Sequence, residues 1–211
     1  MTPTVAVLDY GFGNVRSAMR AAEHVGTQAF LSSDFDTCLN ADGLIIPGVG
    51  AFAACMQGID KVRGGSLVDA RLIANRPILG ICVGMQIMFA QVLEHGIRTS
   101  GLAQWPGVVD RLAAPIVPHM GWNSVTPAAE STLFAGVESE WFYFVHSYAA
   151  QEWLMSDTDG YQRPPSVTWS EYGTPFIAAV EIGPLSAVQF HPEKSGDAGL
   201  TLINNWARTL V

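Results

Sequence analysis

Gly80-Ile81-Cys82-Val83-Gly84 decides how this sequence is read. An apolar run, Pro77-Ile78-Leu79, leads into it as a buried strand, and residues 84–92 follow it with helical character. Glycine, any residue, a nucleophile, any residue, glycine is the form that lifts a reactive side chain onto a sharp strand-to-helix turn. The turn is so tight that only glycine fits two residues to either side. A helix N-terminus beside Cys82 favours negative charge on its sulfur, and the Val83 N–H can hold a developing oxyanion. The ordinary alternative is a small, buried, inert cysteine. That alternative is the reading for Cys38 and Cys55, which lack the glycine pair and sit at no strand-to-helix junction.

Outward from the elbow, strands and helices alternate. Residues 5–8 form a short apolar strand ended by Asp9-Tyr10-Gly11, and Asn14 can cap a helix with Val15, Ala18, Met19, Ala22 and Val25 on one face. Gly43-Leu44-Ile45-Ile46 is a buried strand closed by Pro47-Gly48-Val49-Gly50, and residues 52–59 and 67–74 are helical. The pattern predicts an α/β fold: a central, mostly parallel sheet with flanking helices. After Gly101 short β-prone pieces dominate, at 108–112, 122–125, 141–146, 167–170, 176–182 and 186–190. They are expected to add a few antiparallel strands at an edge of the sheet. Ser195 can cap a last helix whose apolar face is Leu200, Ile203, Trp206, Ala207 and Leu210. With no repeat, low-complexity stretch or long linker, residues 1–211 read as one domain.

Composition narrows the function classes. Hydrophobic residues make up 49% and charged residues 14%, enough apolar material to bury strands on both faces. Eleven Lys and Arg against 19 Asp and Glu give a formal charge of -8, which repels phosphate backbones, so no nucleic-acid partner is expected. No apolar run reaches the ~18 residues a membrane span needs, and the start of the chain shows no signal-peptide pattern. Three widely spaced cysteines form neither a disulfide framework nor a C-x-x-C pair, which fits reduced thiols in a cytoplasm.

A base for Cys82 lies far downstream. Gln189-Phe190-His191-Pro192-Glu193 closes a strand, and residues two apart in extended chain project to the same side. His191 and Glu193 therefore point together, with Pro192 stiffening the link. A histidine can take the thiol proton and return it to a leaving amine, while a carboxylate fixes its tautomer. Alone, His-Pro-Glu would be a surface turn; the elbow upstream changes its weight. His119 and His146 raise a zinc site, but their spacing matches no ligand pattern, so no metal is expected. Gly11-Phe12-Gly13-Asn14-Val15-Arg16 falls short of a dinucleotide fingerprint because Arg16 stands where the third glycine should be.

Gly80-Ile81-Cys82-Val83-Gly84-Met85-Gln86 with His191-Pro192-Glu193 resembles the class I glutamine amidotransferase family. Four further stretches, Asp9-Tyr10-Gly11-Phe12-Gly13-Asn14, Pro47-Gly48-Val49-Gly50-Ala51-Phe52, Pro118-His119-Met120-Gly121-Trp122-Asn123 and Phe190-His191-Pro192-Glu193-Lys194-Ser195, resemble the glutaminase subunits of imidazole glycerol phosphate synthase, from histidine biosynthesis. The resemblance runs from Val5 to the last helix. It implies glutamine hydrolysis through a thioester on Cys82, with the ammonia passed to a separate cyclase subunit, a (β/α)8 barrel, in a heterodimer. It implies no cofactor.

By position, the resemblance implies an oxyanion hole from Val83, Val49 and Gly50, and glutamine-binding roles for Gly48, Gln86, Glu94, Ser147 and Tyr148. Asn14, Met120, Trp122 and Lys194 match the partner-facing surface, and Met120 and Trp122 read as a surface loop. Residues 101–107 and 153–165 depart from the family pattern. Other class I amidotransferases, a thiol esterase or peptidase on the same elbow, and a non-enzymatic scaffold are the rival readings. Residues 118–123 argue against the first, and an intact Cys82, His191 and Glu193 argue against the last.

Overall fold

A computed structural model describes residues 1–155 and 164–210. The first half alternates strands and helices: β1 (Thr4–Leu8), α1 (Val15–His24), β2 (Gln28–Ser32), α2 (Phe35–Asn40), β3 (Gly43–Gly48), α3 (Phe52–Lys61), α4 (Gly64–Ile73), β4 (Ile78–Cys82) and α5 (Val83–Gln86), with β2 and α2 lying where the sequence pattern named no element. The second half is mostly strand: β5 (Phe89–Glu94), β6 (Ile97–Ser100), β7 (Trp105–Arg111), β8 (His119–Ser124), β9 (Trp141–His146), β10 (Tyr148–Ala150), β11 (Ser166–Tyr172), β12 (Thr174–Ile182) and β13 (Leu185–Val188). A 3-10 turn (Pro192–Lys194) and α6 (Gly196–Ala207) end the described chain.

Seven strands make the main sheet in the order β11-β12-β13-β4-β3-β1-β2. β2, β1, β3, β4 and β13 run parallel, and β12 and β11 add antiparallel strands at one edge. β3 and β4 are buried along their whole length, as central strands covered on both faces must be. Both end at the same level, Gly48 opposite Cys82, so the two glycine-rich turns of the sequence emerge side by side from the sheet's carboxyl edge. Arg71 of α4, fully buried, helps fix that edge. Its guanidinium donates to the carbonyls of Cys38, Ala41 and Pro77 at 2.7, 2.9 and 2.9 Å, tying the loops that feed β3 and β4 to one helix.

The structure corrects the expected helix over 84–92. α5 is a single turn that ends at Gln86, and the chain turns back as β5. Long-range pairing overrides the helical pattern: Leu102 N–H donates to Ile87 O, and Trp105 N–H to Met88 O. β5 then meets β6 through a two-residue connection, His95-Gly96, with positive φ at both residues (52° and 78°), the backbone a tight hairpin needs. β5, β6, β7 and β10 form a second sheet, and β8 pairs with β9 in a separate two-stranded ribbon. The β-prone pieces at 108–112, 122–125 and 141–146, expected at an edge of the main sheet, form strands in these two separate sheets instead, and only those at 167–170, 176–182 and 186–190 join the main sheet's edge. Residues 101–104 are a short loop and 105–107 belong to β7, whereas most of the unaligned stretch 153–165 lies outside the described residues.

Candidate active site

Cys82 sits at φ 56°, ψ −111°, a backbone conformation side-chain-bearing residues avoid at a cost of about 1–3 kcal/mol. The surrounding glycines show what holds it there. A Cβ at Gly84 would lie 1.8 Å from Ile46 O, and one at Gly80 would lie 2.6 Å from Gly84 O. On β3, a Cβ at Gly48 would meet Gly84 N at 2.6 Å and the Val83 Cβ at 2.7 Å. Three backbones thus meet at distances only glycine allows. Tyr10 donates from its hydroxyl to Pro47 O at 2.6 Å, and burial raises its pKa, so it remains a donor. α5 has only one turn, so the helix N-terminus expected beside Cys82 amounts to its first N–H groups.

The other two cysteines are buried. The Cys38 thiol donates to Ser32 O at 3.4 Å and the Cys55 thiol to Val49 O at 3.5 Å. Burial pushes both pKa values up, Cys55 to about 11, so both stay protonated at neutral pH.

β13 carries the chain through Gln189 and Phe190 to His191. His191 Nδ1 lies 2.8 Å from Glu193 Oε1, with both side chains 2% exposed. The backbone is braced as well: His191 N–H donates to Tyr143 O at 2.9 Å, and Ser195 Oγ donates to His191 O at 2.7 Å while accepting from Tyr143 N–H at 3.0 Å. Ser195 is therefore not the expected side-chain cap of α6, because its hydroxyl holds the histidine instead. Asn14 likewise occupies the N-cap of α1 without a side-chain cap bond. Burial opposes a proton on His191, but hydrogen bonding and charge from Cys82 and Glu193 outweigh it and raise the ring to about 10. Nε2 is on the Cys82 side, yet no bond of ordinary geometry engages it among the described residues. Catalytic pairs are often loose without substrate.

A cavity of about 620 Å³ opens over this pair. Of the sequence-predicted residues it gathers Cys82, Val83, Val49, Gly50, Gln86, Glu94, Ser147, Tyr148, His191 and Lys194. Gly48 lies beneath the elbow, and Glu193 stands behind His191. Gln86 is buried, and its amide donates to Tyr148 O at 2.9 Å and Gln189 Oε1 at 3.1 Å. Glu94 Oε2 accepts from Phe52 N–H at 3.0 Å, joining β5 to the start of α3, just past the Val49–Gly50 turn. His95, Arg111, Val145 and His146 also line the cavity and were not singled out as site residues from sequence. Nor was Gln189, whose Nε2 lies 3.7 Å from the Cys82 sulfur. Its place two residues before His191 was the available signal.

The residues expected to face a partner divide. Met120 and Trp122 are 63% and 52% exposed. They lie on β8 rather than in a loop, two residues apart and so on one face. Their cross-strand neighbours are Val145 and Tyr143, and Trp141, 56% exposed, follows on the same strand. Lys194 is exposed at the cavity, while Asn14 is half-buried at the start of α1, the helix that packs against the turn at 192–194.

The class I glutamine amidotransferase model matches residues 6–209. The chain belongs to the class I glutamine amidotransferase family. Within the family it is 58% identical over 211 residues, the whole of both chains, to imidazole glycerol phosphate synthase subunit HisH of Thermobifida fusca. It is also 58% identical to the HisH subunit of Streptomyces avermitilis, over 98% of this chain and 96% of the other. The solved structure of PurLQS from Thermotoga maritima matches at a TM-score of 0.69 and 18% identity, covering 99% of each chain. That likeness concerns the class I amidotransferase fold alone.

Proposed function

We propose that this chain is the glutaminase subunit of imidazole glycerol phosphate synthase in histidine biosynthesis, with Cys82 as its nucleophile. One observation carries the chemistry: a strained, glycine-locked cysteine shares one cavity with a histidine that a buried glutamate backs. His191, held protonated at neutral pH by the Cys82 sulfur and Glu193, keeps the proton that the thiol gives up, and the sulfur attacks the side-chain carboxamide carbon of glutamine. Charge moves onto the amide oxygen, where the Val83 N–H and, once the 47–50 strand is competent, the Val49 N–H receive it. The imidazolium gives its proton to the nitrogen, the C–N bond breaks, and ammonia leaves a thioester. Water, deprotonated by His191, attacks the thioester carbon. The C–S bond breaks, the thiol regains a proton, and glutamate departs. Glu193 keeps the His191 Nδ1–H oriented throughout.

The backbone of Ser147 and Tyr148 holds the glutamine carboxylate end, with Gln86 and Glu94 on the facing wall. Arg111, Lys194 and Glu94 supply charges of both signs to the cavity, which suits a zwitterionic amino acid. The partner subunit is a (β/α)8 cyclase that docks on Met120, Trp122, Asn14 and Lys194 and consumes the ammonia, in a cytoplasmic heterodimer. Glutamine hydrolysis measured with and without the cyclase and its nucleotide ligand tests the assignment. The isolated chain is expected to be nearly silent and the liganded complex active. A complex that makes product from ammonium salt but never from glutamine would overturn it.

A further inference from the structure

His119 and His146 face each other across the β8–β9 register and take no part in the steps above. Both are almost fully buried. The hydrogen bonds around them admit one consistent assignment. Tyr148 O can only accept, and it lies 3.0 Å from His146 Nδ1, so that nitrogen carries hydrogen. Burial lowers both rings, His119 to about 4 and His146 to about 3, so each is neutral at pH 7 and carries a single hydrogen. His146 Nε2 is then bare, and His119 Nδ1, 3.2 Å away, donates to it. His119 Nε2 is bare in turn and accepts from Asn123 Nδ2 at 3.4 Å. The Asn123 amide is oriented from outside: Nδ2 donates to Glu171 O and Oδ1 accepts from Ser124 N–H, both at 2.9 Å.

We infer that His119 and His146 are positioning residues, a neutral relay of two Nδ1–H tautomers running from Asn123 on β8 to the Tyr148 carbonyl, which fixes the 148–149 peptide and with it the Tyr148 backbone beside the glutamine site. Two contacts support a role beyond filling space. Tyr148 O also accepts from Gln86, whose amide reaches Gln189 and through it the Cys82 sulfur, so one carbonyl joins the β8 side of the molecule to the nucleophile side. The His119 ring is held flat between Phe144, with centroids 4.9 Å apart, and Tyr172, at 4.1 Å, which keeps Nδ1 aimed at its partner. The inference rests on the glutaminase reading above.

Two measurements test it. In the full chain labelled with 15N-histidine, two-bond 1H–15N correlations should show both residues as Nδ1–H tautomers. A Nε2–H tautomer at either would overturn the relay. His119→Phe keeps an aromatic ring between Phe144 and Tyr172 but removes the donor. At saturating cyclase its glutamine KM should rise about tenfold, the equivalent of roughly 1.4 kcal/mol, with kcat nearly unchanged. His119→Gln, which restores an N–H donor, should recover part of the loss. An unchanged KM in His119→Phe, or equal impairment of both variants, would leave only packing and overturn the proposal. Failure of the glutaminase reading would look different, because the unaltered complex would then turn over no glutamine whatever the tautomer spectrum showed.

Discussion

Two glycine-rich turns, one after β4 and one after β3, face the same cavity and are built to opposite ends. Around Cys82 every glycine is closed in: an added Cβ at Gly80, Gly84 or Gly48 meets backbone at 2.6 Å or less. At Gly50 the nearest atom to an added Cβ is Phe12 Cδ1 at 3.9 Å, and the residue is singular only in its φ of +100°. Val49 beside it is 39% exposed. On the proposed reading the nucleophile is thus fixed by steric contact, while the side proposed for the oxyanion has room to turn from Val49 onward. A glutaminase that must wait for its acceptor gains from this division, since one oxyanion donor is worth roughly 100- to 1,000-fold in rate. Turning one peptide, with the nucleophile already in place, can supply most of a switch.

The largest effects should come from the fixed side. His191→Ala should lower glutamine turnover by about 100- to 10,000-fold, because the proposed mechanism uses that ring to protonate the leaving nitrogen. Glu193→Gln should cost less, since that residue orients the ring rather than moving the proton. Steady-state rates of the liganded complex decide this, and negligible losses from both would exclude the pair. Next, Gly84→Ala should cost about 3 kcal/mol or more of stability by overpacking against Ile46 O. Gly50→Ala should cost only about 1–2 kcal/mol, from backbone strain, and show itself chiefly in the glutaminase rate. Equal melting temperatures for the two variants would erase the contrast between the turns.

Trp122→Ala should weaken cyclase binding by about 2 kcal/mol, roughly 30-fold in Kd, with little change in the isolated chain's melting. A large drop in melting temperature at unchanged affinity would make Trp122 a folding residue. The remaining effects concern pH. Folded His119 and His146 resist protonation until about pH 4 and 3, whereas an ordinary histidine takes a proton near 6.5, so stability should fall as pH drops below 6.5. His191 acts in the other direction: its folded value of about 10 gives a contribution present below 6.5 and lost as pH rises toward 10. Melting curves should flatten on the acid limb in His119→Phe and on the alkaline limb in His191→Ala; a limb untouched by its variant would acquit that histidine.

The same contrast governs what sequence could reveal. The elbow was legible because its signature is local: glycines two residues either side of a nucleophile mark the tight turn, even though Gly84 meets Ile46 O on another strand. The main sheet was legible for a related reason, since β1, β3 and β4 are continuous apolar runs between turn residues. What followed Gln86 was not. Ile87, Met88 and Phe89 are apolar in any conformation, and their direction is set by partners near residue 102 and by a His95-Gly96 turn that lacks the usual Asn-Gly signature. Gln189 and the His119–His146 pair were hidden because their roles depend on side chains far away in sequence. Ser195 looked like a cap for want of any local sign that Tyr143 and His191 would claim its hydroxyl.

The central claim is that one of three cysteines is a pre-set nucleophile for glutamine. Incubating the liganded complex with a glutamine-like electrophile and mapping the modified peptide by mass spectrometry tests it most directly. The account predicts stoichiometric label on Cys82, none on Cys38 or Cys55, and protection by glutamine. Label on Cys55 or Cys38, or an unmodified Cys82 in a complex that has lost glutamine turnover, would contradict it.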